Sequence, residues 1–82
     1  MKISDIRLLK EAGTVMTLAA VRSANNEGWL LLVRAGDGPY RPLHTSRGQV
    51  RILKSLDVAH KVASEIGFDS FTVSRSEDSL ES

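Results

Sequence analysis

The chain has 82 residues and contains no cysteine. This absence excludes disulfides, thiolate nucleophiles and every zinc or iron–sulfur site that needs cysteine ligands. Aromatic residues make up only 5% of the sequence, so its core must consist mainly of Leu, Val, Ile and Ala. Stability therefore depends on the packing of aliphatic side chains.

Long hydrophobic runs are also missing. The longest, Trp29-Leu-Leu-Leu-Val33, is far shorter than the roughly 20 apolar residues that a transmembrane helix needs. The opening residues Met1-Lys-Ile-Ser-Asp5 have no apolar region of the kind found in signal peptides. Together with the lack of cysteine, these features predict a soluble protein of the reducing cytoplasm without a membrane partner.

Catalytic and cofactor motifs are scarce as well. The only histidines, His44 and His60, lie 16 residues apart, whereas a metal site needs three or four converging ligands. No serine lies in a Gly-x-Ser-x-Gly elbow, and the glycines at 36, 38 and 48 form neither a Walker nor a Rossmann fingerprint. We therefore expect no enzyme activity, no metal and no other cofactor.

Charge is distributed unevenly along the chain. The net charge is +1, but residues 76–82 contain three acids and no base, whereas residues 1–75 contain 11 bases and seven acids. A Ser/Glu/Asp-rich end cannot bury apolar surface, so we expect a disordered acidic tail at 76–82. The remaining residues, 1–75, have the length of a single domain.

Two helices are predicted from capping residues and hydrophobic spacing. Ser4 can cap a first helix over about 5–12, which Gly13 ends by adopting a left-handed conformation. Ser55 can cap a second helix, which Gly67 ends in the same way. The apolar stripe of this second helix consists of Val58, Val62 and Ile66, flanked by Ala59 and Ala63.

Segments rich in β-branched and apolar residues predict the strands. They are 14–23, 29–35, 40–45, 50–53 and 69–75, with turn signals at 25–28, 36–39 and 46–49. Pro42 lacks an N–H, which places it on an edge, at a bulge or near the end of the third strand. Because short turns favour antiparallel pairing and both helices must close one core, we predict an α+β domain. It has an antiparallel sheet of four to five strands with two helices packed on one face, in the order α-β-β-β-(β)-α-β.

The main functional signal is a basic set around the third strand and the turn after it, namely Arg41, Arg47, Arg51 and Lys54. Residues 22–54 contain six bases and two acids. Arg47 beside Gly48 can present charge and backbone N–H groups to a phosphate, and Trp29 and Tyr40 are available to stack on bases. The set predicts a nucleic-acid surface, while a plain solvated surface remains the alternative for these charges.

The predicted edge strand with Pro42 favours a second interpretation. An exposed sheet edge can pair with a second copy of the chain or with a strand of another protein. The protein is then a self-associating or protein–protein interaction module, such as a homodimer, without nucleic-acid binding. Both interpretations describe a non-catalytic binding domain.

Four segments share a pattern with known proteins: Met-Lys-Ile-Ser-Asp-Ile-Arg-Leu-Leu-Lys-Glu-Ala-Gly at 1–13, Gly-Trp-Leu-Leu-Leu-Val at 28–33, Thr-Ser-Arg-Gly at 45–48 and the strand–helix–strand segment 51–73. In these the chain resembles a group of small proteins encoded on bacterial plasmids and integrative elements, sometimes labelled partition-associated or replication-accessory. The resemblance implies an accessory role in a mobile element. It implies no site residues.

Overall fold

The computed structural model describes residues 1–23 and 27–75. The elements are α1 (Ile3–Glu11), β1 (Met16–Arg22), β2 (Trp29–Ala35), β3 (Arg41–Pro42), β4 (Ile52–Leu53), α2 (Leu56–Ile66) and β5 (Thr72–Ser74). The predicted α+β class and element order are confirmed, and both helices contribute to one core on one face of the sheet. The predicted acidic tail at 76–82 lies outside the described residues.

The sheet is built around an antiparallel hairpin of β1 and β2. These two strands pair over their whole length, from Met16 opposite Ala35 to Arg22 opposite Trp29. The strand order is β3-β2-β1-β5, and β5 runs parallel to β1. The sheet is therefore mostly antiparallel. β5 can run parallel to β1 because α2 carries the chain across one face of the sheet before β5 begins.

β3 and β4 lie end to end along the same edge of β2. Pro42 pairs with Leu32 in β3, and Ile52 pairs with Leu30 in β4. Between the two strands, residues 44–51 leave the edge and form a projection that we call the 44–51 hairpin. The strands predicted at 40–45 and 50–53 are accordingly shorter than expected, because the hairpin interrupts their pairing with β2.

The core lies between the sheet and the two helices. Leu18 of β1 and Leu31 of β2 pack there with Ile6 of α1, and all three side chains are buried. Ala19 and Leu32, which alternate with them on the strands, are buried as well. The centre of the sheet is therefore buried on both faces, which explains the unbroken apolar run of β2. β2 lies in the interior of the sheet, between β1 on one side and β3 and β4 on the other.

The ends of α2 follow the sequence prediction. The Ser55 hydroxyl accepts a hydrogen bond from the Val58 N–H at 3.2 Å and so caps the first turn. Gly67 ends the helix with φ +103°, and the Phe68 N–H donates to the Ala63 carbonyl at 2.9 Å, as in a Schellman motif. The apolar stripe is shifted from the prediction, since Val58 is 38% exposed while the two alanines are buried.

The start of α1 differs from the prediction. The helix begins at Ile3, so Lys2 and not Ser4 is the N-cap residue. The Lys2 N–H donates to the Asp5 carboxylate at 3.0 Å, and Lys2 also pairs with His44 of the 44–51 hairpin. These two contacts hold Lys2 in an extended conformation and start the helix earlier than the local pattern indicated. The predicted stop at Gly13 is confirmed by its φ of +83° and by the Thr14 N–H bond to Leu9.

Gly28, directly before β2, lies against the backbone of β4. A Cβ atom at this position would collide with the Leu53 carbonyl oxygen and would come within 2.8 Å of Ile52 Cγ2. The turn predicted at 25–28 lies partly outside the described residues. Within the described part, the Ser23 N–H donates to the Gly28 carbonyl at 3.0 Å and closes the connection.

A candidate basic groove beside helix α1

The 44–51 hairpin is a folded element with its own hydrogen bonds. At its base the Arg51 N–H donates to the Leu43 carbonyl at 2.9 Å. Further out, the Thr45 N–H donates to the Gln49 carbonyl at 2.7 Å, and the Gly48 N–H closes the turn on Thr45. Gly48 has a φ of +88°, a conformation that favours glycine. These bonds hold the turn in one shape.

The hairpin is fixed to the beginning of α1. The His44 N–H donates to the Met1 carbonyl at 2.7 Å, and the Met1 amine donates to the Pro42 carbonyl at 2.9 Å. The same amine lies 2.8 Å from His44 Nδ1. Backbone pairing between Lys2 and His44 continues this contact. The hairpin and the first turn of α1 are therefore joined by a continuous set of hydrogen bonds.

Between them lies a concave groove of about 1160 Å³. Three cations line it: Lys2 before α1, Arg7 on the helix, and Arg51 at the base of the hairpin. Further lining groups include the hydroxyls of Ser4, Thr45 and Ser46 and the side chain of Leu8, which is 66% exposed. The groove thus combines positive charge with hydrogen-bond donors, a combination that suits an anion.

The charges in the groove are not neutralised by their neighbours. Among the described residues, neither Lys2 nor Arg7 nor Arg51 forms an ion pair, whereas Arg34 of β2 forms a salt bridge with Asp37 in the turn that follows. Among the described residues that line the groove, Glu11 is the one acid. The groove lining therefore carries a net positive charge. A bound anion would not have to displace an existing carboxylate from these cations.

The four basic residues singled out in the sequence occupy different places. Arg51 lines the groove, and Arg47 lies in the turn of the same hairpin. Arg41 pairs with Val33, whereas Lys54 follows the Leu53 position that pairs with Trp29. At about 3.3 Å per residue, Arg41 and Lys54 lie more than about 13 Å apart along β2, on either side of the hairpin. The structure therefore brings Arg47 and Arg51 into one element, and of the four residues Arg51 alone lines the groove.

Sequence reasoning missed Lys2 and Arg7. Both are basic residues of the N-terminal segment, which could have suggested an anion contact. However, they lie more than 40 residues from Arg51 in the chain. The backbone pairing of Lys2 with His44 brings these distant segments together. Only knowledge of that pairing would have placed the three cations in one groove.

The two aromatic residues considered for base stacking are engaged within the chain. The Arg22 guanidinium lies 5.1 Å from the Trp29 ring centroid, and Arg34 lies 5.7 Å from that of Tyr40. Trp29 also packs against the core. Neither ring lines the groove. The Gly48 N–H, considered for phosphate binding, is likewise used in the turn.

A second depression, of about 550 Å³, lies at the opposite end of the helices. There the Lys10 ammonium donates to the Gly67 carbonyl at 2.8 Å and lies 4.4 Å from the centroid of the Phe68 ring. A cation at the C-terminus of a helix compensates its unpaired carbonyls and its dipole. Lys10 thus joins α1 to the end of α2 and has a structural role.

Residues 1–23 and 27–75 contain no cluster of three or more His, Cys, Asp or Glu side chains that could hold a metal ion. In the same part of the chain, no helix is long and apolar enough to cross a membrane. Comparisons of this chain with protein-family models, curated proteins and solved structures find no match.

Proposed function

We propose that the protein is a non-catalytic binding domain whose groove contacts the phosphate backbone of nucleic acid. The observation that supports this is the convergence of Lys2, Arg7 and Arg51 on one concave surface with no ion pair among the described residues. Arg47, in the turn of the adjoining hairpin, adds a fourth cation. Lysine and arginine contacts to phosphates supply most of the affinity in sequence-independent nucleic-acid binding.

The salt dependence of binding measures these contacts directly. If the four cations each neutralise one phosphate of B-form DNA, log Kobs should fall with log[salt] with a slope of about −3.6. Affinity should then drop about 150-fold from about 50 to about 200 mM salt. Fluorescence anisotropy with a labelled DNA duplex measures the slope. Absence of binding at low salt would refute the proposal.

Single charge removals locate the surface. Arg7→Gln and Arg51→Gln should each reduce the slope by about one unit, because each removes one phosphate contact. Lys61→Gln is the matched control, since it removes the same charge from an exposed position of α2 that does not line the groove. Equal weakening by all three variants would indicate a diffuse effect of net charge and would argue against the groove.

Self-association is a second proposal, supported by the open edge of the sheet. Ile52 of β4 is 53% exposed at this edge, and Val50 in the adjoining hairpin is 42% exposed. Both are β-branched residues that favour strand pairing. Two copies pairing along this edge would cover both side chains. Light scattering at high concentration should then show a dimer that Ile52→Lys disrupts. A monomer at all concentrations would contradict this proposal.

An accessory role in a bacterial mobile element, in the cytoplasm, is proposed from the sequence resemblance and the lack of cysteine. The gene neighbourhood tests the role. Partition, replication or conjugation genes next to this one would support it, and their consistent absence would remove its basis.

A further inference from the structure

We infer that the groove takes the backbone of a double helix in preference to a single strand. This inference rests on the proposed nucleic-acid function and specifies the substrate class of the same groove. It follows from the shape of the groove, from the side chains that line it and from the places of the two large aromatic rings.

The first observation concerns stacking. Proteins that bind single strands usually combine a basic surface with aromatic rings on which unpaired bases stack. In this chain Trp29 and Tyr40 each have an arginine over the ring, and the described groove lining contains no Trp, Tyr or Phe. The one ring in that lining, His44, is held through Nδ1 by the Met1 amine at 2.8 Å. An unpaired base entering the groove would meet Ile3, Leu8 and the His44 imidazole besides the polar groups. The described lining thus has no Trp, Tyr or Phe ring whose stacking would offset the ordering of a single strand.

The second observation concerns rigidity. Hydrogen bonds and backbone pairing at Met1, Lys2 and His44 hold the two walls of the groove together. The hairpin wall is braced in turn by the Arg51 bond to Leu43. A preformed groove binds a stiff partner with little loss of conformational entropy on either side. A double helix is such a partner, and a flexible strand is not.

The third observation concerns chemistry. The polar side chains along the walls include ammonium, guanidinium and hydroxyl groups, all of which can donate to phosphate oxygens. The donors come from two walls, one formed by α1 and the other by the hairpin. A duplex presents phosphates on a regular, rigid surface, so cations on both walls can be engaged at once. The recognised feature is the double-helical phosphodiester backbone, whether its sugars are deoxyribose or ribose.

The test compares four polyanions at equal salt with the intact protein: a 20-base-pair DNA duplex, an RNA duplex of the same length, a 20-nucleotide oligo-dT and poly-glutamate. With four phosphate contacts, the difference in counterion release between about −0.9 and about −0.7 per contact favours the DNA duplex about tenfold at about 50 mM salt. The two duplex arms distinguish DNA from RNA as the source. A preference of at least this size for either duplex over oligo-dT supports the inference.

Two results would overturn it. Oligo-dT binding as tightly as the duplexes would show that the groove does not require a double helix, and would leave the proposed nucleic-acid function standing. Poly-glutamate binding as tightly as the duplexes would show a surface for any polyanion. No binding to DNA or RNA would instead refute the proposed function itself. In the supporting case, Arg51→Gln should weaken duplex binding more than Lys61→Gln does.

Discussion

Replacing Gly28 with alanine tests the close approach of its backbone to β4. The added Cβ would collide with the Leu53 carbonyl oxygen and would lie 2.8 Å from Ile52 Cγ2, so either β4 or the β1–β2 connection must move. Gly28 also has a φ of +156°, which non-glycine residues rarely adopt. Substitution should therefore add backbone strain to a steric collision with main-chain atoms.

The expected loss of stability follows from these two terms. Backbone strain at an unfavourable φ costs about 1–3 kcal/mol, and overpacking costs about 1–3 kcal/mol. Together they predict a decrease of about 3–4 kcal/mol in the free energy of unfolding, within a total of about 5–15 kcal/mol for a natural domain. A decrease of this size should lower Tm by about 12–30 °C in a domain of this length.

Gly48→Ala is the matched control. Gly48 also has a positive φ, +88°, but an added Cβ there has no heavy atom within 4 Å. This variant should lose only the strain, about 1–2 kcal/mol. Urea denaturation followed by circular dichroism measures both variants. If the two losses agree within about 0.5 kcal/mol, the inferred collision with β4 does not occur, and our account of how β4 is positioned fails.

Two further changes test the helix ends. Ser55→Ala should lower the free energy of unfolding by about 1 kcal/mol, because it removes the hydroxyl that accepts from the Val58 N–H; chemical denaturation measures the loss, and an unchanged midpoint would contradict the capping role. Lys10→Met should destabilise by about 0.5–1 kcal/mol through loss of the bond to the Gly67 carbonyl and of the charge at the end of α2. The loss should be seen as a lower thermal midpoint. A Lys10→Arg variant keeps the charge and should therefore retain part of the stability that Lys10→Met loses. Equal losses in both variants would show that charge at this position is unimportant.

Much of the fold was predictable because its signals are local. The Ser55 cap and the Gly67 stop each depend on backbone groups within about one helical turn. The run from Trp29 to Ala35 predicts a buried strand from composition alone, and the structure has β2 over these residues. Where a distant contact competes, the local signal fails. Lys2 replaces Ser4 as the N-cap residue because it also pairs with His44, a residue far along the chain.

The candidate groove likewise depends partly on local sequence and partly on distant contacts. The sequence indicates that this chain has no cysteine chemistry, that it forms an α+β domain, and that its bases concentrate in its middle. Tertiary structure decides which of those bases meet. It places Lys2 and Arg7 beside Arg51, separates Arg41 from Lys54 on either side of the hairpin, and covers the Trp29 ring with Arg22. Strand register and long-range backbone pairing determine these neighbours, and both depend on how the whole chain buries its apolar faces.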